Sequence, residues 1–370
     1  MESSLRYNPA LDGLRALAIA LVFAEHCHIP GFDAGFFGVD VFFVLSGFLI
    51  TGLLVGEVDA RGTIDLMGFY LRRFLRLGPA LLLLLAAYLA IAPVIWPQYG
   101  LWPHFRDAAL AGSYLSDYGR AFWGSPMILQ HTWSLSVEAH FYFIWPFVIL
   151  LLARVEPRWR LTALCGLYML ATAWRIHEYD SLGWQATYFS FDTRTSGLIC
   201  GALLAIYLTR MNRISDKDAN TYGVFACIAL VSCLSLSYWR APWSLVWLTP
   251  IAQLAAAGLL MSATVPKSWV SRVLSARPLV AIGTISYGIY LWHYPAALFF
   301  RSLLPWYEAV PVVLIFAVAV AGASYFFVER PLQRYRRNLN ARPRQANAEP
   351  EPPRDGRVPR LAPENPVTAA

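Results

Sequence analysis

Ten stretches of mostly apolar residues recur from one end of this chain to the other, at about 11–29, 36–55, 78–96, 132–153, 161–176, 185–208, 221–239, 243–263, 279–300 and 309–328. Most are close to the roughly 20 residues that carry a helix across the ~30 Å hydrocarbon core of a bilayer. Within lipid every backbone N–H and C=O must be satisfied inside the segment, so such stretches have to be helices. Composition agrees: 57% of the 370 residues are apolar and 14% are charged, against roughly a quarter charged in soluble proteins. These observations predict an all-α, polytopic integral membrane protein of about ten transmembrane helices and exclude an ordinary soluble enzyme. The stretch at 161–176 is the shortest. Residues 97–131 are expected to form the longest outer loop, with room for a re-entrant or interfacial segment.

Basic residues set the expected orientation. With the N-terminus inside, eighteen Lys and Arg side chains flank the inner ends of the spans, from Arg6, Arg61 and Arg213 to Arg330, Arg334, Arg336 and Arg337. Five lie in outer segments: Arg106, Arg120, Arg175, Arg240 and Arg301. That asymmetry predicts both termini in the cytoplasm. It also accounts for the net charge of +7, which therefore calls for no nucleic-acid partner. The first span makes a poor cleavable signal, because its flank is weakly basic and Arg15 and His26 would be discarded with it. All five cysteines fall within spans and none has Cys-x-x-Cys spacing, so neither a disulfide framework nor a metal site is expected. Residues 1–338 read as one integral domain. Residues 339–370, rich in Pro, Ala, Glu and Arg, are expected to be a disordered cytoplasmic tail that cannot bury enough surface to offset its ordering entropy.

The polar residues inside the spans carry the chemistry. Arg15 and His26 are eleven residues apart, and eleven steps of about 100° return to nearly the same helix face. Ionisable groups on one face of a lipid-embedded helix are costly and point to function, although a pair of interfacial side chains is the plainer alternative. In the expected topology Asp40, Glu138, Asp192, Arg194, His26 and His293, from five spans, all fall in the outer half of the membrane. Charges at such depth face one another or a wet cavity, so a polar chamber opening outward is expected. A structural ion-pair network is the alternative; it accounts for Asp192 with Arg194 and leaves both histidines unexplained. At the inner face Arg72, Arg73 and Arg76 offer forked N–H donors suited to phosphate, as in a nucleotide-bearing cofactor, though the positive-inside bias alone also produces such a cluster. Glu329 lies at the same inner depth, where it can orient one of those arginines. Gly52 with Gly56, and Gly197 with Gly201, have the spacing of close helix–helix packing. The aromatics of 97–131 suit sugar stacking and, equally, an interfacial belt. No Gly-x-Ser-x-Gly elbow, Walker loop or His-Glu-x-x-His helix is present.

Several of these residues sit in an ordered set of motifs. Leu11-Asp12-Gly13-Leu14-Arg15-Ala16 leads to His26, followed by Gly38-Val39-Asp40-Val41-Phe42-Phe43-Val44-Leu45-Ser46-Gly47-Phe48 and the arginines at 72–76. Then come Thr132-Trp133-Ser134-Leu135-Ser136-Val137-Glu138, Ile285-Ser286-Tyr287-Gly288-Ile289-Tyr290-Leu291-Trp292-His293-Tyr294-Pro295 and Val328-Glu329-Arg330-Pro331. In this set the chain resembles the acyltransferase 3 family of integral membrane acyltransferases, over most of 8–337. One departure is visible: the family often has Glu-Glu-Gln where this chain reads Glu138-Ala139-His140, which puts a role for the second position in doubt.

The resemblance implies about ten transmembrane helices in a bacterial cytoplasmic membrane. It also implies transfer of an acyl group, commonly acetyl from acetyl-coenzyme A, to a hydroxyl of a cell-envelope or exported carbohydrate. Some members carry an added esterase-like domain on the outer side, for which this chain has no room. On that reading acyl-coenzyme A is a donor substrate and no cofactor is resident. Its phosphates are expected on Arg72, Arg73 and Arg76, and its thin arm is expected to pass Arg15 toward His26. His26 acts as general base, with a covalent acyl-histidine left open, and Glu138 or Asp40 orients it. Trp133, Asp192, Arg194 and His293 are expected on the acceptor side. The alternative is a transporter or flippase for a lipid-linked sugar, which midmembrane charges also suit, although no internal repeat is evident.

Overall fold

Asn8 and Pro9 start the first helix for local reasons. The Asn8 side chain accepts from the Ala10 N–H at 3.0 Å, and Pro9 takes a first-turn position where its missing N–H costs nothing. The same Asn8 donates to the Ala263 carbonyl at 3.0 Å, tying the start of this helix to the end of a distant one. Asp65, Ser215 and Ser268 cap three further helices through their side chains. The computed structural model describes residues 7–211 and 214–332 and contains no strand among them. The expected tail at 339–370, and Arg6, Arg213, Arg334, Arg336 and Arg337, lie outside the described residues.

In chain order the helices are α1 (Pro9–His26), α2 (Phe37–Arg61), α3 (Leu66–Ile95), α4 (Leu101–Gly112), α5 (Ser116–Trp123), α6 (Trp133–Ala153) and α7 (Pro157–Phe189). They continue as α8 (Phe191–Arg210), α9 (Asp216–Leu236), α10 (Thr249–Ala263), α11 (Trp269–Leu274), α12 (Arg277–Thr284), α13 (Ser286–Leu303) and α14 (Trp306–Ser324). Six helical stretches are long and apolar enough to cross a membrane: Phe37–Arg61, Leu66–Ile95, Gln130–Ala153, Asp216–Leu236, Ser244–Ala263 and Trp306–Leu332. The protein is a polytopic, all-helical membrane protein. The remaining four stretches read from the sequence fall on α1, α7, α8 and α13, which are also long helices; their charged and other polar side chains make them less apolar. The short stretch at 161–176 is part of the 33-residue α7, interrupted at Gly183, where φ is 76°. The expected outer loop at 97–131 holds α4 and α5.

Large apolar side chains point away from the bundle along whole helix faces. Leu82, Ile91 and Val94 on α3, Phe225, Ile228 and Val231 on α9, and Ile315 on α14 are all exposed. Such faces are unsustainable in water and are what lipid would cover. Without a hydrophobic drive between helices in lipid, close approach has to come from small residues. It does so between α2 and α8. A Cβ on Gly47 would overlap the Leu198 carbonyl, and one on Gly201 would overlap the Val44 carbonyl. Of the two small-residue pairs in the sequence, Gly197 and Gly201 face α2, whereas Gly52 has nothing within 4 Å of a built Cβ. Gly201→Val is therefore expected to cost more than about 3 kcal/mol through overpacking against backbone, with loss of folded protein. Gly52→Ala should be neutral or stabilising by up to about 1 kcal/mol. Thermal unfolding of the detergent-solubilised variants checks both.

Candidate active site

The last turn of α1 carries Glu25 and His26 to the end of the bundle where α13 places His293. His26 Nδ1 lies 2.8 Å from His293 Nε2. His293 is fully buried, and its Nδ1 faces the Ile289 and Tyr290 carbonyls at 3.1 and 2.8 Å. Carbonyls only accept, so His293 Nδ1 bears the hydrogen and its Nε2 is the acceptor. His26 must then donate through Nδ1, which leaves Nε2 as its basic nitrogen. Glu25 Oε2 stands 3.1 Å from that Nε2. The His26 side chain is 18% exposed, so the ring is not wholly enclosed by protein. Tyr294 packs edge-on to His26 at 4.6 Å between ring centroids, and His131 stacks on Tyr294 at 5.1 Å. Arg301 fastens the turn from outside by donating to the His26 carbonyl at 2.7 Å, a cation on the free carbonyls of a helix C-terminus.

A cavity of about 270 Å³ lies at the opposite end of α1, enclosed with α2, α3, α6 and α13. Arg15, Arg73, Arg76 and Glu329 line one part of it, and Ser46, Glu138 and Tyr142 another. Asp12 holds Arg15 in an ion pair at 2.5 Å and accepts from the Tyr7 hydroxyl at 2.9 Å. This turn sits close to its neighbours because Gly13 lies against the Leu274 backbone and Gly283 against that of Asp12. Glu138 accepts from Ser46 at 2.6 Å and from Tyr142 at 3.1 Å. Glu329 ends a π-helical turn, Tyr325–Glu329, and accepts from Ser324 at 3.3 Å.

Tyr290 separates the cavity from the histidines. It lines the cavity, while its ring lies 5.6 Å from that of His293, one helical turn along α13. Its hydroxyl donates to the His131 carbonyl at 2.6 Å, so Ser134, at 2.7 Å, must donate to it. One hydrogen-bonded tyrosine thus stands between an arginine-lined cavity and an imidazole pair.

The other expected residues fall elsewhere. Asp40 does not reach His26; it pairs with Arg194 at 2.8 Å, both side chains wholly buried. Gln253 bridges Asp40 and Ser196 at 3.1 Å each, and Arg175 donates to Ser196 at 2.7 Å. Arg194 lies over the rings of Trp133 and Tyr188 at 5.7 and 5.1 Å, so Trp133 is a packing partner of that network. Asp192 is not the partner of Arg194; it accepts from Trp174 at 2.7 Å and Tyr118 at 3.4 Å. Arg72 points away from the cavity toward Glu57 and Asp65, at 3.7 and 3.6 Å. His140, at the position that departs from the family motif, faces Asp117 at 3.1 Å. The structure thus divides the single expected chamber into an imidazole pair, a separate cavity holding Glu138, and a buried network around Asp40 and Arg194.

Residues 8–328 match the acyltransferase domain family Acyl_transf_3. This chain belongs to the acyltransferase 3 family. Among relatives of this acyltransferase domain, the peptidoglycan O-acetyltransferase OatA of Listeria monocytogenes is 32% identical over 356 residues, covering 90% of this chain and 56% of that protein. The O-acetyltransferase OatA of Staphylococcus aureus is 33% identical over 353 residues, covering 90% of this chain and 58% of that protein. The chain therefore spans just over half the length of these curated relatives. No solved structure matches it.

Several residues of this acyltransferase 3 site had no assigned role from sequence. Tyr290 and Ser134 lie inside its motifs, and His131 directly precedes one, so proximity was the available signal. Glu25 is simply the neighbour of His26. Arg175 and Arg301 belong to outer segments by sequence, yet Arg175 is wholly buried and Arg301 holds the end of α1. Removing one partner of a buried ion pair leaves a bare charge and costs about 3–5 kcal/mol. Asp40→Asn is thus expected to lower the melting temperature and the yield of folded protein; a variant that melts like wild type while losing activity would instead return Asp40 to the reacting groups.

Proposed function

We propose that this protein moves an acetyl group from acetyl-coenzyme A to a hydroxyl of a cell-wall carbohydrate, as a multi-pass enzyme of a bacterial cytoplasmic membrane with both termini inside. The family membership and the names of the OatA relatives support the reaction class and the acceptor class. The observation that carries the mechanism is the pairing of His26 with His293, which leaves His26 Nε2 as a basic nitrogen near the outer end of α1. Imidazole suits general-base work because its ordinary pKa is close to neutrality. His26 Nε2 takes the proton of the acceptor hydroxyl as its oxygen attacks the thioester carbonyl. The tetrahedral intermediate collapses, the C–S bond breaks, and the proton passes to the thiolate of coenzyme A. His293, held by two backbone carbonyls, fixes the tautomer and the ring orientation.

The donor's place is argued from charge and size. Arg73 and Arg76 line the cavity and suit the phosphates, with Arg15 further along its wall. A cavity of about 270 Å³ suits the thin thioester arm and leaves the nucleotide end at the rim. Arg72 is engaged with Glu57 and Asp65 and takes no part. For the acetyl group to reach His26, the hydrogen bonds of Tyr290 to His131 and Ser134 must open.

The decisive assay follows labelled acetyl from acetyl-coenzyme A into cell-wall carbohydrate. His26→Ala is expected to reduce incorporation on the order of 10²–10⁴-fold with the protein still folded and inserted. Near-normal incorporation by that variant would remove His26 from the mechanism. Arg73→Ala and Arg76→Ala should each weaken donor binding roughly tenfold to a hundredfold, from the loss of a charge-assisted hydrogen bond of about 1.5–3 kcal/mol. Arg72→Ala should change it by less than about threefold, because Arg72 is engaged with Glu57 and Asp65 outside the cavity. Equal effects at all three positions would refute the division between Arg72 and the cavity arginines.

A further inference from the structure

We infer that Glu25 is a positioning residue for this reaction, supplying the counter-charge for His26 when its imidazole is protonated. The inference rests on the reading of His26 as general base and adds a residue to it. In a triad the orienting partner is a carboxylate, which both fixes the tautomer and stabilises the imidazolium. Here the orienting partner is His293. Its Nδ1 hydrogen is committed to the Ile289 and Tyr290 carbonyls, so it accepts from His26 as a neutral ring and offers no charge. Fixing the tautomer and stabilising the cation are therefore separate tasks at this site.

The positive charge that develops on His26 also stands in an unfavourable place. The Arg301 guanidinium donates to the His26 backbone carbonyl at 2.7 Å, and a second cation beside it is repelled. Among the described residues, the one carboxylate in contact with the His26 ring is Glu25, whose Oε2 lies 3.1 Å from Nε2. Its side chain is 14% exposed, which places the pair in a partly desolvated setting where an ion pair is stronger than in water. At 3.1 Å the Glu25 carboxylate is close enough to face the imidazolium once Nε2 has taken a proton. The proton enters from the acceptor oxygen, is held between Nε2 and Oε2, and leaves to the thiolate; Glu25 finishes as it began.

The position of Glu25 is built into the packing. Gly35, in the connection between α1 and α2, lies against the Glu25 Cβ, and a Cβ there would approach it to 2.8 Å. The backbone of that connection thus packs against the base of the Glu25 side chain.

The test compares Glu25→Gln, Glu25→Asp and His26→Ala in the labelled-acetyl assay with purified full-length protein. Glu25→Gln keeps the shape and removes the charge; it is expected to lower kcat about a hundredfold with KM for acetyl-coenzyme A unchanged. Glu25→Asp should recover at least about tenfold of that loss, and Glu25→Gln combined with His26→Ala should be no slower than His26→Ala alone, as expected of groups acting as one unit. Glu25→Gln within threefold of wild type, while His26→Ala is inactive, overturns the inference and leaves His26 as the base. Equal losses in the Gln and Asp variants with parallel loss of thermal stability also overturn it, because a packing role alone would produce them. Full activity of His26→Ala removes the parent reading and this one with it.

Discussion

The hydrogen bond between His26 and His293 is the contact on which the rest of the site depends. It forms because two backbone carbonyls one turn back on α13 take the Nδ1 hydrogen of His293, leaving only Nε2 to accept. It persists because Arg301, two turns further along the same helix, grips the C-terminal carbonyl of α1. Helix α13 therefore sets the position and the tautomer of a residue on another helix. In a bundle whose outer faces are apolar, a polar side chain left without a partner costs several kcal/mol, so these contacts are as binding as core packing is in a soluble protein.

The same constraint sorts the remaining polar groups. Asp40 and Arg194 neutralise one another, joined through Gln253 and Ser196 to Arg175, in the region where α2 and α8 approach over Gly47 and Gly201. That network holds helices together at a depth where lipid cannot help. The cavity behind Tyr290 is different in kind, since Arg15, Arg73 and Arg76 there face open space as well as protein. On the proposed reading the two regions divide the reaction, with donor on one side of Tyr290 and acceptor on the other.

The helical, polytopic architecture was legible because ten apolar stretches of membrane-spanning length leave few other folds. The family was legible because its motifs include residues with no packing reason to recur in that order. Pairing was less accessible. Depth along a helix can be counted from sequence, and it brought His26 and His293 to the same level. Rotation about the helix axis and the identity of the neighbour cannot be counted in that way, so Asp40 was expected near His26 although it faces α8. Glu138, expected at similar depth, instead lines the cavity with Arg15 and turns to Ser46 and Tyr142. Arg72, Arg73 and Arg76 form one cluster in the sequence, yet Arg72 turns to Glu57 and Asp65 while Arg73 and Arg76 line the cavity; Arg72 and Arg76 are only about 40° apart around the helix, so it is the acceptors beside each turn that separate them.

The central claim is that donor and acceptor meet from opposite ends of the bundle at His26. The most direct measurement supplies labelled, membrane-impermeant acetyl-coenzyme A to one face of sealed membrane vesicles and follows the label into carbohydrate enclosed on the other. Inside-out vesicles, which present the expected cytoplasmic face, should incorporate label with wild-type protein and not with His26→Ala, and right-side-out vesicles should incorporate none. Incorporation from right-side-out vesicles, or by the His26→Ala protein, would contradict the account.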